Sequence, residues 1–303
     1  MVLWEYRLTN IAVVNSSLAP SRTALTAAAA RAAHLIVDHP PFIFEDTIAA
    51  VLLGDAAVEL IGYHREHGSH PVLASARTQV ICRSRYTEDR IAEAADRGVS
   101  QYVLLGAGLD TFGFRSTAGP QLRVFEVDHP ATQGWKRRAL AAAGIPVPPH
   151  VAFVAAELGA GSLIAGLQAA GFDLSRPAVM SWLGVTMYLD ASAISATLAA
   201  LSACAPGTEI IVDYMLPAGL RDQAADDYVS QVSKAAADWG EPWRSFLAPD
   251  QVQALLSEHG FTVLEHVRQR DAVPGVLWQR SDPLRPSDLS MITRALREPR
   301  PAC

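Results

Sequence analysis

The stretch QYVLLGAGLDTFGFR, residues 101–115, joins a buried apolar run to a turn that is rich in glycine. Gly106, Ala107 and Gly108 follow the apolar run, and the chain becomes polar again at Asp110. A buried strand that stops at a glycine pair makes room for a ligand at the carboxyl edge of an α/β sheet. The stretch therefore predicts a parallel sheet and a ligand site at its edge.

The segments around this turn predict an α/β fold with a seven-stranded, mostly parallel sheet. Residues 23–98 repeat apolar residues at three-to-four spacing, which is typical of helices. After Gly98, short apolar runs alternate with helical segments, and this order implies right-handed crossovers in a doubly wound sheet. The seven runs are QYVLLG (101–106), LRVFEVD (122–128), VAFVAAEL (151–158), AVMSWLG (178–184), TEIIVDYM (208–215), FTVLEHV (261–267) and GVLWQR (275–280). The last two runs are too close for a helical crossover, so the last strand is expected to be antiparallel.

The helical start and the sheet suggest a division of the chain. We expect residues 1–98 to form an N-terminal helical cap and residues 99–303 to form a Rossmann-like domain. Within that domain, residues 215–246 are expected to form a helical lid insertion. Trp239 and Trp243 in this insertion suit a flat, apolar small molecule, although they could equally be ordinary packing residues.

Composition excludes several classes of partner. The chain has 303 residues, is 50% hydrophobic and 18% charged, and carries a formal charge of -6. This balance argues against nucleic-acid binding, which depends on lysine and arginine at the phosphates. The apolar run at 23–37 is interrupted by Arg31 and His34 and is shorter than the roughly 20 residues of a spanning helix, so no membrane association is expected. We expect a monomer or a homodimer.

Cysteine usage indicates a reducing compartment. Cys82, Cys204 and Cys303 are odd in number and far apart, which fits neither a disulfide framework nor a zinc site. A cytoplasmic location follows as an expectation. His64 and its neighbours in YHREHGSH have no acidic or cysteine ligands at suitable spacing, so they predict a solvated helix end and no metal site.

The residues of the turn limit which class of ligand can bind. A dinucleotide site requires G-x-G-x-x-G, but here Thr111 takes the third glycine position. Asp128 lies about 20 residues past the glycines, where an acidic side chain accepts both ribose hydroxyls. Asp110 would repel a phosphate and attract an ammonium group. An adenosyl ligand with an ammonium, a sulfonium and no phosphate is S-adenosylmethionine, which we therefore expect as the cofactor.

Several motifs together resemble one protein family. They are CRSRYTEDRI, QYVLLGAGLDTFGFR, VFEVDHPATQGWKRRAL and SWLGVTMYLD. Their combination resembles the leucine carboxyl methyltransferase family, and more closely its bacterial branch of S-adenosylmethionine-dependent O-methyltransferases. The resemblance covers about residue 75 to residue 268. It implies the Rossmann-like class I methyltransferase fold and a small-molecule acceptor in secondary (natural-product) metabolism.

The resemblance also implies cofactor contacts. Arginines would pair the cofactor's carboxylate, the glycine turn would approach it closely, acidic residues would hold its ribose and adenine, and the fourth strand would end beneath it. The residues concerned are Arg83, Arg85, Gly106, Ala107, Gly108, Asp110, Thr111, Glu126, Asp128, Glu157, Leu158, Ser181 and Trp182. A surface ion pair with Asp89 stays open for Arg85, and a structural role stays open for Glu126.

The chemistry of methyl transfer decides which acceptors need help. A carboxylate acceptor, with a pKa of about 4, is already ionised at neutral pH, whereas a phenol, with a pKa of about 10, requires a base. Tyr188, Asp213 and Tyr214 lie at the ends of central strands and are the candidates to touch the acceptor. None has an evident partner as a dedicated base, which favours a carboxylate or an acidic hydroxyl.

Three alternatives stay open from the sequence. One is an NAD-dependent oxidoreductase, which Asp110 and Thr111 in the turn disfavour. A second is a pseudoenzyme that binds the cofactor without using it. A third keeps the cofactor but changes the reaction to cyclisation or aminocarboxypropyl transfer, because Leu183 stands where many relatives have glutamate.

Overall fold

The computed structural model describes residues 21–115 and 122–299, and its first part is helical. The helices are α1 (Arg22–Val37), α2 (Ala49–Leu52), α3 (Ala57–His67) and α4 (Pro71–Asp96). The Ser21 side chain accepts a hydrogen bond from the Ala24 N–H and caps α1, while Pro71 occupies the first turn of α4, where no N–H is needed. Helix α1 packs against both α3 and α4.

Seven strands form one sheet in the order β3-β2-β1-β4-β5-β7-β6. The strands are β1 (Gln101–Leu105), β2 (Arg123–Asp128), β3 (Val151–Ala155), β4 (Val179–Trp182), β5 (Glu209–Met215), β6 (Phe261–Arg268) and β7 (Ser290–Arg297). The first five pair in parallel, and β7 is antiparallel to both β5 and β6. The predicted fold, with its antiparallel last strand, is confirmed.

Helices between the strands cover both faces of the sheet, as parallel pairing requires. They are α5 (Phe112–Arg115), α6 (Pro130–Ala142), α7 (Leu163–Ala169), α8 (Ala191–Leu201), α9 (Gln223–Asp238) and α10 (Pro249–Glu258). The division into a cap, a domain and a lid remains a prediction. None of the helices in the described ranges is long and apolar enough to span a bilayer.

The identity of the last strand was predicted wrongly. GVLWQR, residues 275–280, does not form a strand: Gly275–Trp278 is a 3-10 turn. The last strand is SMITRALR, residues 290–297, which inserts between β5 and β6. The apolar character of GVLWQR reflects the packing of Leu277 and Trp278 against the core. The segment is only partly buried, with Val276 63% exposed, so local hydrophobicity predicted neither its burial nor its backbone conformation.

The sheet separates two core layers, because successive side chains of a strand point to opposite faces. On one face, Leu105 and Trp182 pack into a cluster that includes residues of α7, α8 and α10. On the other face, Leu104 and Ile211 pack with residues of α4. This alternation decides which strand residues reach the cavity described below.

Candidate functional site

A cavity of about 470 Å³ lies at the carboxyl edge of the sheet. One half is formed by the chain that follows β1, β2, β3 and β4, and the other by helices α1, α3, α4 and α9. The cavity therefore occupies the place where ligands bind in open α/β sheets.

The turn after β1 is shaped by two glycines with positive φ. Gly106 has φ +69° and Gly108 has φ +52°, values that side chains rarely adopt. A Cβ atom at Gly106 would lie 2.4 Å from Cγ2 of Val185. Glycine is thus required at this position both for its backbone conformation and for the space that Val185 leaves.

Asp128 fixes the turn from the end of β2. Its Oδ2 accepts a hydrogen bond from the Gly108 N–H at 2.5 Å, and its Oδ1 accepts one from the His129 N–H at 2.6 Å. Burial raises the pKa of Asp128 above its ordinary value, although both hydrogen bonds oppose this effect. The carboxylate lines the cavity and keeps lone pairs that can accept two further hydroxyl groups.

Two arginines hold the same turn from the helical side. Arg31 of α1 donates from Nη2 to the Leu109 carbonyl at 2.6 Å and from Nε to Asp46 at 2.7 Å. Arg115 donates from Nε to the Thr111 hydroxyl at 2.8 Å, and the same nitrogen lies 3.7 Å from Asp46. Burial raises the pKa of Asp46, but the two arginines outweigh it and hold that pKa below its ordinary value.

The sequence predictions missed these supporting residues. Arg31 could have been noticed as a lone charge in the alanine-rich run of α1. Its contact with Leu109, 78 positions away, is tertiary and has no signal in the sequence. Arg115 also pairs with Glu88, whose pKa rises to about 7 because burial outweighs that ion pair.

Arg83 lines the cavity from α4 and is held by Asp213 beneath it. Its Nη1 donates to Oδ2 of Asp213 at 3.0 Å, and Asp213 also accepts a hydrogen bond from the Gly184 N–H at 2.5 Å. The Asp213 carboxylate is completely buried. Gly184 has φ +71°, which is strained for other residues, and a Cβ there would lie 2.3 Å from Nη2 of Arg83 and displace the guanidinium. Arg85 instead donates to Asp89 at 2.8 Å on the helix surface.

The structure brings most of the predicted site residues to the cavity. Those that line it are Arg83, Gly106, Ala107, Gly108, Asp110, Asp128, Glu157, Leu158, Ser181 and Tyr188. Those that do not line it are Arg85, Thr111, Glu126, Trp182, Asp213 and Tyr214. Whether the lining residues bind a cofactor or act in catalysis remains a prediction.

Strand geometry explains two of the residues that are not at the cavity. Ser181 and Trp182 are consecutive in β4, so Ser181 faces the cavity and Trp182 packs into the opposite core layer. Asp213 and Tyr214 are consecutive in β5 and diverge in the same way. The Tyr214 hydroxyl lies on the far side of the sheet, where it accepts a hydrogen bond from Thr293 at 3.2 Å.

Glu126 is occupied by a different partner from the one predicted. Its Oε2 accepts a hydrogen bond from Lys136 Nζ at 2.5 Å, and both side chains are 1% exposed. Burial raises the pKa of Glu126 to about 7, although Lys136 opposes this. A buried ion pair of this kind is the structural role that the sequence left open.

The wall contributed by α3, α4, α9, the end of β5 and the segments after β4 and α9 forms a chamber with mainly apolar and aromatic side chains. The chamber is lined by Tyr63, His64, Val72, Leu73, Ala76, Gln79, Val80, Met187, Tyr188, Met215, Tyr228, Val232, Ala236, Trp239 and Trp243. The rings of Tyr228 and Trp243 are nearly parallel, with centroids 6.3 Å apart. Glu241, also at the wall, accepts a hydrogen bond from the Thr23 N–H at 3.0 Å, which joins the start of α1 to the segment after α9.

One chamber residue contradicts its predicted setting. His64 was expected at a solvated helix end, but it is only 6% exposed and lines the chamber. His67 and His70 are more accessible, in line with the prediction. In the described part of the chain, no three side chains of the histidine, cysteine or acidic type are grouped so that they could hold a metal ion.

A sequence profile for leucine carboxyl methyltransferases matches residues 24–202, which include α3, α4, most of α1, the glycine turn and strands β1 to β4. The chain belongs to the leucine carboxyl methyltransferase family. The predicted family and the predicted enzyme class are confirmed.

The name of a relative is consistent with this family assignment. The chain is 31% identical over 273 residues to the Bacillus subtilis protein named "Putative S-adenosyl-L-methionine-dependent methyltransferase YktD", covering 83% of this chain and 89% of that one. The predicted cofactor is the one in that name.

Solved structures show the same fold. A "putative methyltransferase" of Thermobifida fusca superposes with a TM-score of 0.58 at 22% identity, over 82% of this chain and 92% of that one. A DUF574 family protein of Streptomyces avermitilis superposes with a TM-score of 0.60 at 16% identity, over 89% of this chain and 97% of that one.

Proposed function

We propose that this S-adenosylmethionine-dependent methyltransferase transfers a methyl group to an oxygen atom of a small molecule, a carboxylate or an acidic hydroxyl, in natural-product metabolism. The observation that carries the proposal is the continuity of one cavity: a polar half with a glycine turn opens directly into an apolar, aromatic chamber. A chamber of this kind suits a small molecule.

The lining residues fit the expected cofactor. Asp128 offers free lone pairs to the ribose hydroxyls, and Arg83 offers a guanidinium to the carboxylate of the methionine portion. Asp110 lines the same half and can attract the ammonium group. Gly106 and Gly108 carry no side chain, so the backbone of the turn is open to close approach by the cofactor. When bound, the cofactor supplies an electrophilic methyl group on its sulfonium.

The role of the protein is then to hold, orient and dehydrate. Asp213 and Gly184 fix Arg83, Asp128 fixes the turn, and the aromatic chamber excludes water from the acceptor. Burial raises the pKa of Tyr188, so its phenol stays protonated at neutral pH and can donate a hydrogen bond to the acceptor. It does not serve as a base, which supports an acceptor oxygen that is already ionised or readily ionised.

Calorimetric titration with S-adenosylmethionine and S-adenosylhomocysteine tests the cofactor half. Arg83→Met is expected to weaken binding about 10- to 100-fold, because one hydrogen-bonded charge pair is lost. Arg85→Met, two positions away on the same helix, is the matched control and should leave binding unchanged. Equal losses in the two variants would contradict the assignment of Arg83.

Transfer to oxygen is tested by incubation with hydroxyl and carboxyl acceptors and mass spectrometry of the products. Mild alkali cleaves methyl esters and spares aryl methyl ethers, so it separates the two kinds of product. Breakdown of the cofactor without any acceptor would instead support cyclisation or aminocarboxypropyl transfer. Methylation of nitrogen or carbon alone would overturn the proposal.

A further inference from the structure

The charges around the cavity restrict the acceptor. Two arginines line the cavity, and both are already paired with buried aspartates: Arg31 with Asp46 at 2.7 Å and Arg83 with Asp213 at 3.0 Å. Of the charged groups near the chamber, Glu241 lies at its wall, and the guanidinium of Arg83 is close enough to act on Tyr188 and Tyr228 but is already paired with Asp213. A second, anionic group of the acceptor, held in the chamber away from the sulfonium, would lose its hydration without gaining an unpaired cation from the walls, which costs several kcal/mol.

A buried network ends at one polar edge of the chamber. Asp38 is 5% exposed and binds Arg77 through two hydrogen bonds, from Nε at 2.8 Å and from Nη2 at 2.9 Å. Asp38 also lies 2.9 Å from Nδ1 of His34. Arg77 also donates from Nη1 to Nδ1 of His64 at 3.3 Å. The network therefore runs from a fully buried carboxylate and guanidinium to a chamber residue.

Arg77 fixes the tautomer of His64. A guanidinium has donors and no acceptor, so Nδ1 of His64 must accept, and the ring hydrogen of the neutral imidazole must lie on Nε2. Burial, together with the charge of Arg77, lowers the pKa of His64 to about 4, which keeps the ring neutral at pH 7. Within the described ranges, Nε2 has no hydrogen-bond partner, although the residue is 6% exposed and lines the chamber.

We propose that the acceptor is a largely apolar compound whose reacting group is a readily ionised hydroxyl, and that the Nε2–H of His64 donates a hydrogen bond to a second, uncharged oxygen atom of it. This inference specifies the substrate class of the proposed function, and it rests on that function for the methyl transfer itself. His64 is then a specificity-determining residue, because it increases the affinity for acceptors with a carbonyl or ether oxygen away from the reacting hydroxyl. The rest of the chamber increases the affinity for acceptors with a large apolar surface.

Three bicyclic probes of similar shape separate the parts of this inference. 7-Hydroxycoumarin has a hydroxyl and a distant carbonyl oxygen, 2-naphthol lacks the carbonyl, and 6-hydroxy-2-naphthoate carries a carboxylate. Binding is measured by calorimetry to the complex with S-adenosylhomocysteine, and methyl transfer is measured separately with S-adenosylmethionine. The wild-type protein is expected to bind 7-hydroxycoumarin about three- to tenfold more tightly than 2-naphthol, and the carboxylate at least about 100-fold more weakly.

Variants then locate the contact. His64→Phe keeps a ring but has no donor, and it should remove the preference for 7-hydroxycoumarin over 2-naphthol while leaving the affinity for S-adenosylhomocysteine unchanged. His64→Gln can still accept from Arg77 and donate to the ligand, so it should keep much of the preference. His67→Gln, one turn from the chamber on the same helix, is the matched control and should change nothing.

Each outcome either supports or contradicts the inference. Preference for the carboxylate, equal affinity of wild type for the two neutral probes, or failure to bind either of them up to its solubility would overturn the inference, and these wild-type results do not depend on a variant that folds. An equal loss for all ligands in His64→Phe would assign His64 a structural role only. Selective binding of 7-hydroxycoumarin without methyl transfer to any oxygen would leave the inference standing and refute the proposed function.

Discussion

Replacement of Gly106 by alanine measures the energetic cost of a Cβ atom in the glycine turn. Gly106 has φ +69°, and its added Cβ would lie 2.4 Å from Cγ2 of Val185. Gly144 offers a matched control, since it has φ +68° and nothing lies within 4 Å of its added Cβ. The two substitutions therefore share the backbone penalty, and they differ in the steric overlap with Val185.

The expected magnitudes follow from these two contributions. A left-handed conformation costs an L residue about 1–2 kcal/mol, and the lower entropy of the unfolded alanine chain returns about 0.4–1 kcal/mol. Gly144→Ala should therefore lower the free energy of unfolding by about 1 kcal/mol. Overpacking adds about 1–3 kcal/mol, so Gly106→Ala should lower it by about 2–4 kcal/mol.

Urea unfolding of both variants, and of the double variant Gly106→Ala, Val185→Ala, measures these differences. Removal of the Val185 methyl groups should recover most of the excess that Gly106→Ala shows over Gly144→Ala. S-adenosylmethionine affinity should also fall in Gly106→Ala and stay unchanged in Gly144→Ala. Equal destabilisation of the two glycine variants, or no recovery in the double variant, would refute the steric explanation.

Three other predictions concern the networks around the cavity. Between pH 6.5 and about pH 4, His64 takes up a proton in the unfolded chain but not in the native chain. As the pH falls through this range, the free energy of unfolding of the wild type should therefore decrease by up to about 3 kcal/mol more than that of His64→Gln. Parallel pH curves of the two proteins in urea unfolding would contradict this. Arg77→Met removes the guanidinium partner of the buried Asp38 and leaves it His34 alone, so it should lower the free energy of unfolding by about 3–5 kcal/mol, and the added change Asp38→Asn should recover part of the loss in the same assay. In calorimetric titration, Asp213→Asn should weaken S-adenosylmethionine binding about tenfold, because the guanidinium of Arg83 loses a charged partner. Tyr214→Phe, on the far face of the sheet, should change the affinity by less than about twofold. A larger effect of Tyr214→Phe than of Asp213→Asn would contradict the assignment of the cofactor site to this face of the sheet.

The sequence predicted the parallel part of the fold because its signals are local. A buried run ending in Gly106 and Gly108 has few structural explanations other than a βα turn at a ligand site. The last strand was missed because its conformation depends on its neighbours: Ser290–Arg297 is held between β5 and β6, and it carries two arginines that weaken any apolar pattern. Tertiary pairing overrides local preference in such a strand.

The candidate site was predicted by position along the chain but not by side-chain direction. Parallel strands are buried on both faces, so their sequence does not show which face holds the ligand. For that reason Ser181 and Trp182 looked equivalent, as did Asp213 and Tyr214, until the sheet defined the faces. Long-range partners such as Arg31 were missed because a tertiary contact leaves no local pattern.

Helix α1 has two tasks that redesign of the enzyme would have to keep apart. Its alanines form part of the cavity wall, while Arg31 of the same helix holds the Leu109 carbonyl of the glycine turn. Changes in α1 that reshape the cavity wall would also shift this arginine and so disturb the glycine turn. Gln79 on α4 and Trp243 after α9 line the chamber and contact Met215 and Tyr228, respectively, within it, which makes them better positions from which to alter the chamber alone.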